Sequence, residues 1–194
     1  MIEQEATRRE AVRRGLLAGG AIASAAVVPA AFRSSRAFGQ ADTSTASGDT
    51  GIIEGAVGIE QTAVVVYRTI AARGLLGPAT PVAELFAKQE QEHADALIAA
   101  LKGLGGTPPA KPLPTDIPGF TEVQSGPEAL AFAVSIENQE LAHYIEGVKK
   151  LEDPNLIKAV AQIVGNEGQH LVVLRQALST DPMPVSLPTG EEKT

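Results

Sequence analysis

Apolar residues recur every three to four positions in four stretches of the chain, and the breaks between those stretches outline the architecture. The first stripe runs through Ile52, Ala56, Ile59, Ala63, Tyr67 and Ile70, the spacing of one buried helical face. Within it, Val64-Val65-Val66-Tyr67 has strand propensity when taken alone, but the helical spacing extends on both sides and predicts helix throughout. A short turn over residues 74–80 follows. A second stripe starts at Pro81, a residue suited to a first helical turn, passes through Val82, Leu85, Phe86, Leu97 and Leu101, and stops at Gly103, Gly105 and Gly106. Leu130, Val134, Leu141, Ile145 and Val148 form the third. After a tight break at Asp153-Pro154, the fourth holds Ile157, Val160, Val164, Leu171, Leu174 and Leu178.

Between the second and third stripes, residues 105–127 contain six of the thirteen prolines and no helical pattern, the mark of an ordered strap. An extended chain reaches at most ~3.3–3.6 Å per residue, and a 25-residue helix is ~37 Å long, so this strap can cross the whole length of a bundle. Short loop, long crossover, short loop predicts an all-α four-helix bundle of two helix pairs, with the middle two helices parallel. The bundle is expected over 52–180: a first pair at 52–104, the crossover at 105–127 and a second pair at 128–180. A flexible linker at 42–51 precedes it and a flexible tail at 181–194 follows.

Shifting the chain by 77 residues against itself aligns Ile59-Glu60 with Ile136-Glu137, Tyr67 with Tyr144, Glu90 with Glu167 and His93 with His170. IEQTAVVVY pairs with IENQELAHY, and QEQEHADAL with NEGQHLVVL, so the second helix pair reads as an internal two-fold repeat of the first. Leu or Val can coincide through patterning alone. Glu, Tyr and His at inward positions have no packing reason to recur.

Glu90 and His93 are three residues apart, hence neighbours on one helical face, as are Glu167 and His170. Glu60 and Glu137 lie on the inward stripes of their own helices, with Tyr67 and Tyr144 two turns further along. Four carboxylates and two imidazoles therefore converge in an apolar interior, where unpaired charges are heavily penalised. Two divalent cations would cancel the four carboxylates and leave both imidazoles as neutral ligands. Two Glu-x-x-His pairs, each preceded in register by a Glu and a Tyr, make the chain resemble the ferritin-like superfamily over essentially all of 52–180. That resemblance implies that Glu60 and Glu137 are terminal ligands, that Glu90 and Glu167 bridge, and that His93 and His170 complete the two shells. It also implies that Tyr67 and Tyr144 hydrogen-bond ligand carboxylates. Glu92 and Glu140 align with the non-acidic Gln169 and Ala63 and are read as solvated or as standing directly behind the ligands; His143 is read as a surface or loop-packing histidine.

Of the 194 residues, 44% are hydrophobic and none is Cys, so a sizeable core is expected and any metal must be held by carboxylates and imidazoles. The net charge of −7 divides unevenly. Residues 1–41 carry six Arg against three Glu, and residues 42–194 carry ten basic against twenty acidic side chains. An anionic body argues against nucleic acid as a partner. The basic start has the order of an export signal: Arg8-Arg9, a charge-free run from Gly15 to Phe32, then small residues at Gly39 and Ala41. It resembles a twin-arginine translocation signal, cleaved after Ala41 or Gly39, which implies the translocation machinery as a partner and a periplasmic, cell-envelope or secreted destination. Retention by an uncleaved N-terminal anchor is the alternative.

Together these readings lead to an exported di-metal carboxylate protein with two metal ions per chain, iron first and manganese second. It is expected to lean toward oxidoreductase chemistry of the ferroxidase or peroxide-scavenging type, reacting with O2 or H2O2 and fed by an unidentified reductant. The alternatives are a non-catalytic metal-binding or stress-related ferritin-like protein and a di-manganese catalase-like enzyme. Oligomeric state is left open, a homodimer included.

Overall fold

The computed structural model describes residues 48–192; the export-signal reading falls on residues 1–41 and lies outside them. Four long α-helices make up the described residues, which contain no strand: α1 Asp49–Ala72, α2 Thr80–Gly103, α3 Gly126–Val148 and α4 Pro154–Ala177. Each spans ~35 Å at 1.5 Å per residue. None of these helices is long and apolar enough to cross a membrane.

Helix α1 begins three residues before Ile52, taking in Asp49, Thr50 and Gly51, which the composition assigns to the linker. A distant contact explains the extension. The Asp49 carboxylate accepts from the backbone amides of Glu152 and Asp153 at 2.8 and 2.9 Å, tying the start of α1 to the α3–α4 loop while sitting at a helix N-terminus, where a negative charge is favoured. The valine run is helical, and every residue from Glu60 to Tyr67 is buried. A helix apolar all round belongs in the interior, and tertiary burial here overrides strand propensity.

The starts and stops follow local chemistry. Gly74, at φ 62°, takes the left-handed conformation that lets α1 end and turn, and Pro81 occupies the first turn of α2. Ser125 and Glu128 form a capping box at the start of α3. Asp153 caps α4 by accepting from Asn155 N at 2.7 Å, with Pro154 in the first turn. Gly126 is also a steric requirement, since a Cβ there would meet the Leu75 carbonyl oxygen at 2.8 Å.

His143 Nε2 lies 3.2 Å from the Ile52 carbonyl oxygen, so the C-terminal half of α3 runs beside the start of α1, antiparallel to it. Since α2 is also antiparallel to α1, α2 and α3 are parallel, as the long crossover requires. The strap contains two 3-10 turns, Pro114–Asp116 and Phe120–Glu122. It also contributes to the core, burying Ile117, Phe120 and Val123, with the Phe120 ring 5.0 Å from that of Phe132. Phe120→Ala is expected to cost about 3–5 kcal/mol, read as a lowered urea midpoint. A loss under ~1 kcal/mol would show that the strap is a passive connection.

Residues 178–192 return along α3. Asn138 Nδ2 donates to the Glu192 carbonyl oxygen at 3.3 Å while its Oδ1 accepts from Arg175 at 3.1 Å. A Cβ on Gly190 would come within 2.2 Å of the Asn138 carbonyl oxygen. The described part of this segment therefore packs on the bundle, whereas its composition reads as a free tail.

The core falls into two apolar clusters. One end is built on Ile53, Val57, Leu97, Leu101, Tyr144 and Val160, the other on Val66, Tyr67, Phe86, Phe132, Leu171 and Leu174. Glu60, Glu90, His93, Glu167 and His170 come from the turns between them.

Candidate metal centre

All four helices send polar side chains into that middle layer. Glu60 comes from α1, Glu90 and His93 from α2, Glu137 from α3, and Glu167 and His170 from α4; the four carboxylates are fully buried. They form two overlapping groups, Glu60–Glu90–His93–Glu167 and Glu90–Glu137–Glu167–His170, each offering ligand atoms within 4.8 Å of one another.

The two imidazoles face this layer through Nδ1. His93 Nδ1 lies 3.0 Å from Glu167 Oε1, 3.2 Å from Glu90 Oε2 and 3.4 Å from Glu60 Oε2. His170 Nδ1 lies 2.9 Å from Glu90 Oε1, 3.1 Å from Glu167 Oε2 and 3.3 Å from Glu137 Oε1. Glu90 and Glu167 thus each direct one oxygen to each histidine. Around a six-coordinate cation with ~2.1 Å bonds, neighbouring ligand atoms stand ~3.0 Å apart, which matches these spacings.

Hydrogen bonding within the layer is incomplete. Glu60 Oε2, Glu90 Oε1, Glu137 Oε2, both oxygens of Glu167 and Nδ1 of His170 have no hydrogen-bond partner. Buried polar atoms are normally satisfied, and a cation would satisfy these together. Without one, protons balance the charge. Burial, with repulsion from Glu90 and Glu167, pushes Glu60 and Glu137 well above the usual carboxylate range. Burial alone would lower the histidines, but the carboxylates facing their Nδ1 atoms push His93 and His170 up to about 12. Burial raises Glu167 too, and the two imidazoles outweigh it and hold that carboxyl at about 2. The layer favours positive charge, which protons supply here and a metal ion could supply instead.

A family model for the ferritin-like domain matches residues 48–180. The chain belongs to the ferritin-like domain family. The expected all-α ferritin-like bundle is thereby established. Among solved structures, a conserved hypothetical protein from Mycobacterium tuberculosis is similar at 19% identity, with a TM-score of 0.58, over 71% of this chain and 94% of that one. That likeness concerns the fold alone. No curated protein matches the chain.

In this ferritin-like domain the tyrosines cross between the halves of the repeat. The Tyr67 hydroxyl donates to Glu137 Oε1, and the Tyr144 hydroxyl donates to Glu60 Oε1. Each phenol of one half thus orients the carboxylate of the other, and burial raises both phenols well above their usual range. Tyr144→Phe is expected to weaken cation binding at the Glu60 group ~10–100-fold, the usual effect of removing a partner behind a ligand. Tyr67→Phe should do the same at the Glu137 group. Chelator-competition titration reads both, and unchanged affinity would make the phenols core aromatics only.

For Glu140 the structure decides between the two readings. Glu140 is fully buried, not solvated, and neither of its oxygens has a hydrogen-bond partner. Burial raises its carboxyl, followed by repulsion from Glu90, Glu60, Glu167 and Glu137 in that order. Its position, three residues after Glu137 and four before Tyr144, is the available signal, because those intervals keep it on the inward face. The repeat conceals it, since its counterpart is Ala63. Glu92, by contrast, is exposed beside Lys88 at 3.5 Å. His143 packs against α1, where a Cβ on Gly55 would meet its ring at 2.8 Å.

Proposed function

We propose that this ferritin-like domain is the body of an exported di-metal carboxylate protein that holds two iron ions per chain and reacts with O2 or H2O2. The observation that carries the reading is the split of Glu90 and Glu167, one oxygen toward each histidine. In this reading Glu60, Glu90, His93 and Glu167 would hold one ion, and Glu90, Glu137, Glu167 and His170 would hold the other. Two ferrous ions held there would supply two electrons to O2 or H2O2. The protein's part is to hold the ions side by side in a dry layer, with Tyr67 and Tyr144 fixing the terminal carboxylates. Glu140 adds a fifth buried carboxylate with no counterpart in the other half, where Ala63 stands, so the two halves of the centre are not equivalent. His93, with its side chain 13% exposed against 1% for His170, leaves the first group nearer to solvent.

Manganese suits the same donors. Metal analysis of the mature protein from its native envelope therefore comes first. About two iron ions per chain, with an absorption band that bleaches on anaerobic reduction and returns with O2 or peroxide, is the expected result. Two manganese ions would redirect the reading to peroxide disproportionation. Less than about one ion per chain, not restored by anaerobic loading, would overturn the di-metal reading.

A further inference from the structure

The residue before each Glu-x-x-His pair is an amide: Gln89 precedes Glu90 and Asn166 precedes Glu167, 77 residues apart and so at the same place in the repeat. Each reaches the histidine of the other half. His93 Nε2 lies 3.1 Å from Asn166 Oδ1, and His170 Nε2 lies 2.9 Å from Gln89 Oε1. Both amides are half-buried at the seam between α2 and α4, two helices that otherwise touch sparsely.

We propose that Gln89 and Asn166 are paired positioning residues that set both imidazoles as neutral Nδ1 ligands, each accepting the Nε2–H of the opposite half's histidine. This rests on the metal-centre reading above. The chemistry follows from the two ring nitrogens. A cation on Nδ1 takes the lone pair of that nitrogen and leaves the proton on Nε2, which must then donate. An amide oxygen is the matching acceptor for that proton, and Asn166 Oδ1 and Gln89 Oε1 are the atoms that face the two Nε2 nitrogens. The exchange across the repeat has a further consequence: each half-site is oriented by the other, so the two assemble together.

That both acceptors are amides decides the charge. A carboxylate in this place is a common partner for a ligating histidine and strengthens it as a donor. Here it would add a negative charge at each histidine, to a layer that already holds Glu60, Glu90, Glu137, Glu167 and Glu140. Four of these would balance two divalent ions, and burial already disfavours a charge on the fifth, Glu140. The neutral amides set both rings without adding to that negative charge.

The test uses the full chain loaded with Zn2+, a diamagnetic divalent probe, and imidazole 15N–1H correlation spectra. In the wild type both rings should show Nδ1 bound and a protected Nε2–H. Asn166→Leu should remove that protection from His93 and weaken the Glu60 group roughly 10–100-fold while leaving His170 unchanged, and Gln89→Leu should do the converse. Should the leucine variants not fold, Asn166→Asp and Gln89→Glu retain an acceptor and are expected to shift the Nε2–H proton downfield. In the iron-loaded protein they should also tilt each ion roughly tenfold toward the ferric state, ~59 mV per electron. Wild-type Zn2+ uptake with unaltered rings and affinities in the leucine variants, or unshifted Nε2–H protons and potentials in the acidic ones, overturns the positioning role alone. Absence of uptake by the wild type overturns the metal centre and this role with it.

Discussion

Replacing Glu60 and Glu137 by Gln together is expected to abolish tight metal binding while leaving the cation-free protein as stable as before. Both carboxyls are held well above the usual range by burial, so the cation-free fold favours their neutral form, which Gln mimics. Gln is nearly isosteric, and its carbonyl oxygen can still accept from Tyr67 and Tyr144, which donate to the carboxylates in the native chain. The chelated variant should therefore unfold within about 1 kcal/mol of the wild type, far from the penalty for breaking a buried charge pair. In the loaded protein the same change removes an anionic ligand from each group. A loss of at least ~100-fold per group is expected, since even partners behind a ligand are worth ~10–100-fold. At fixed free cation this is about 3 kcal/mol of stability per group. Glu84→Gln with Glu92→Gln, two exposed carboxylates, serves as the control and should change neither measurement. Urea unfolding with and without metal, alongside metal analysis, gives the answer. If loaded and chelated stabilities fall together, the carboxyls are packing elements and the centre is misassigned.

The parts of this molecule that could be read from sequence are those where a physical rule leaves a periodic trace. Four helices showed themselves because each buries a face, and the valine run at 64–66 was assigned correctly because the flanking stripe outweighs local propensity. The six residues brought together in the middle layer stood out because buried Glu and His are costly, and their recurrence at one offset has no packing cause. For Glu140 the same logic left two readings open. A repeat reveals what both halves share, and the carboxylate that makes the halves differ is opposite Ala63. Gln89 and Asn166 stood in the aligned stretches, but a Gln/Asn match carries no visible cost until the opposite histidine is found 3 Å away. The anchors of the strap, Ile117, Phe120 and Val123, have no period. Asp49 joins α1 through a contact more than a hundred residues away, which no local pattern encodes.

Stripped of cations, the protein is expected to melt at a higher temperature at pH 5 than at pH 8, and the loaded protein to do the reverse. The sign follows from which state holds more protons. Burial raises Glu60, Glu137 and Glu140 in the fold. Their contribution is complete below the unfolded value of ~4.3 and declines as pH rises above it. His93 and His170 stand at about 12 in the cation-free fold against ~6.5 when unfolded. Their contribution is complete below ~6.5 and falls away as pH climbs from there toward the folded value. Both sets of groups thus weaken the chelated fold between pH 5 and pH 8. Glu167, held at about 2, has the opposite sign, but its contribution fades only as pH drops below ~4.3 and is nearly flat across this window. Metal binding requires those same groups to give up their protons, so affinity rises with pH and the loaded fold gains stability over the range where the chelated one loses it. Two thermal scans at each pH, one with chelator and one with Fe2+ under argon, would show the crossing. A pH-stat titration should register proton release as the metal enters. Parallel curves without proton release would mean that the buried carboxylates and imidazoles are not where the cation binds.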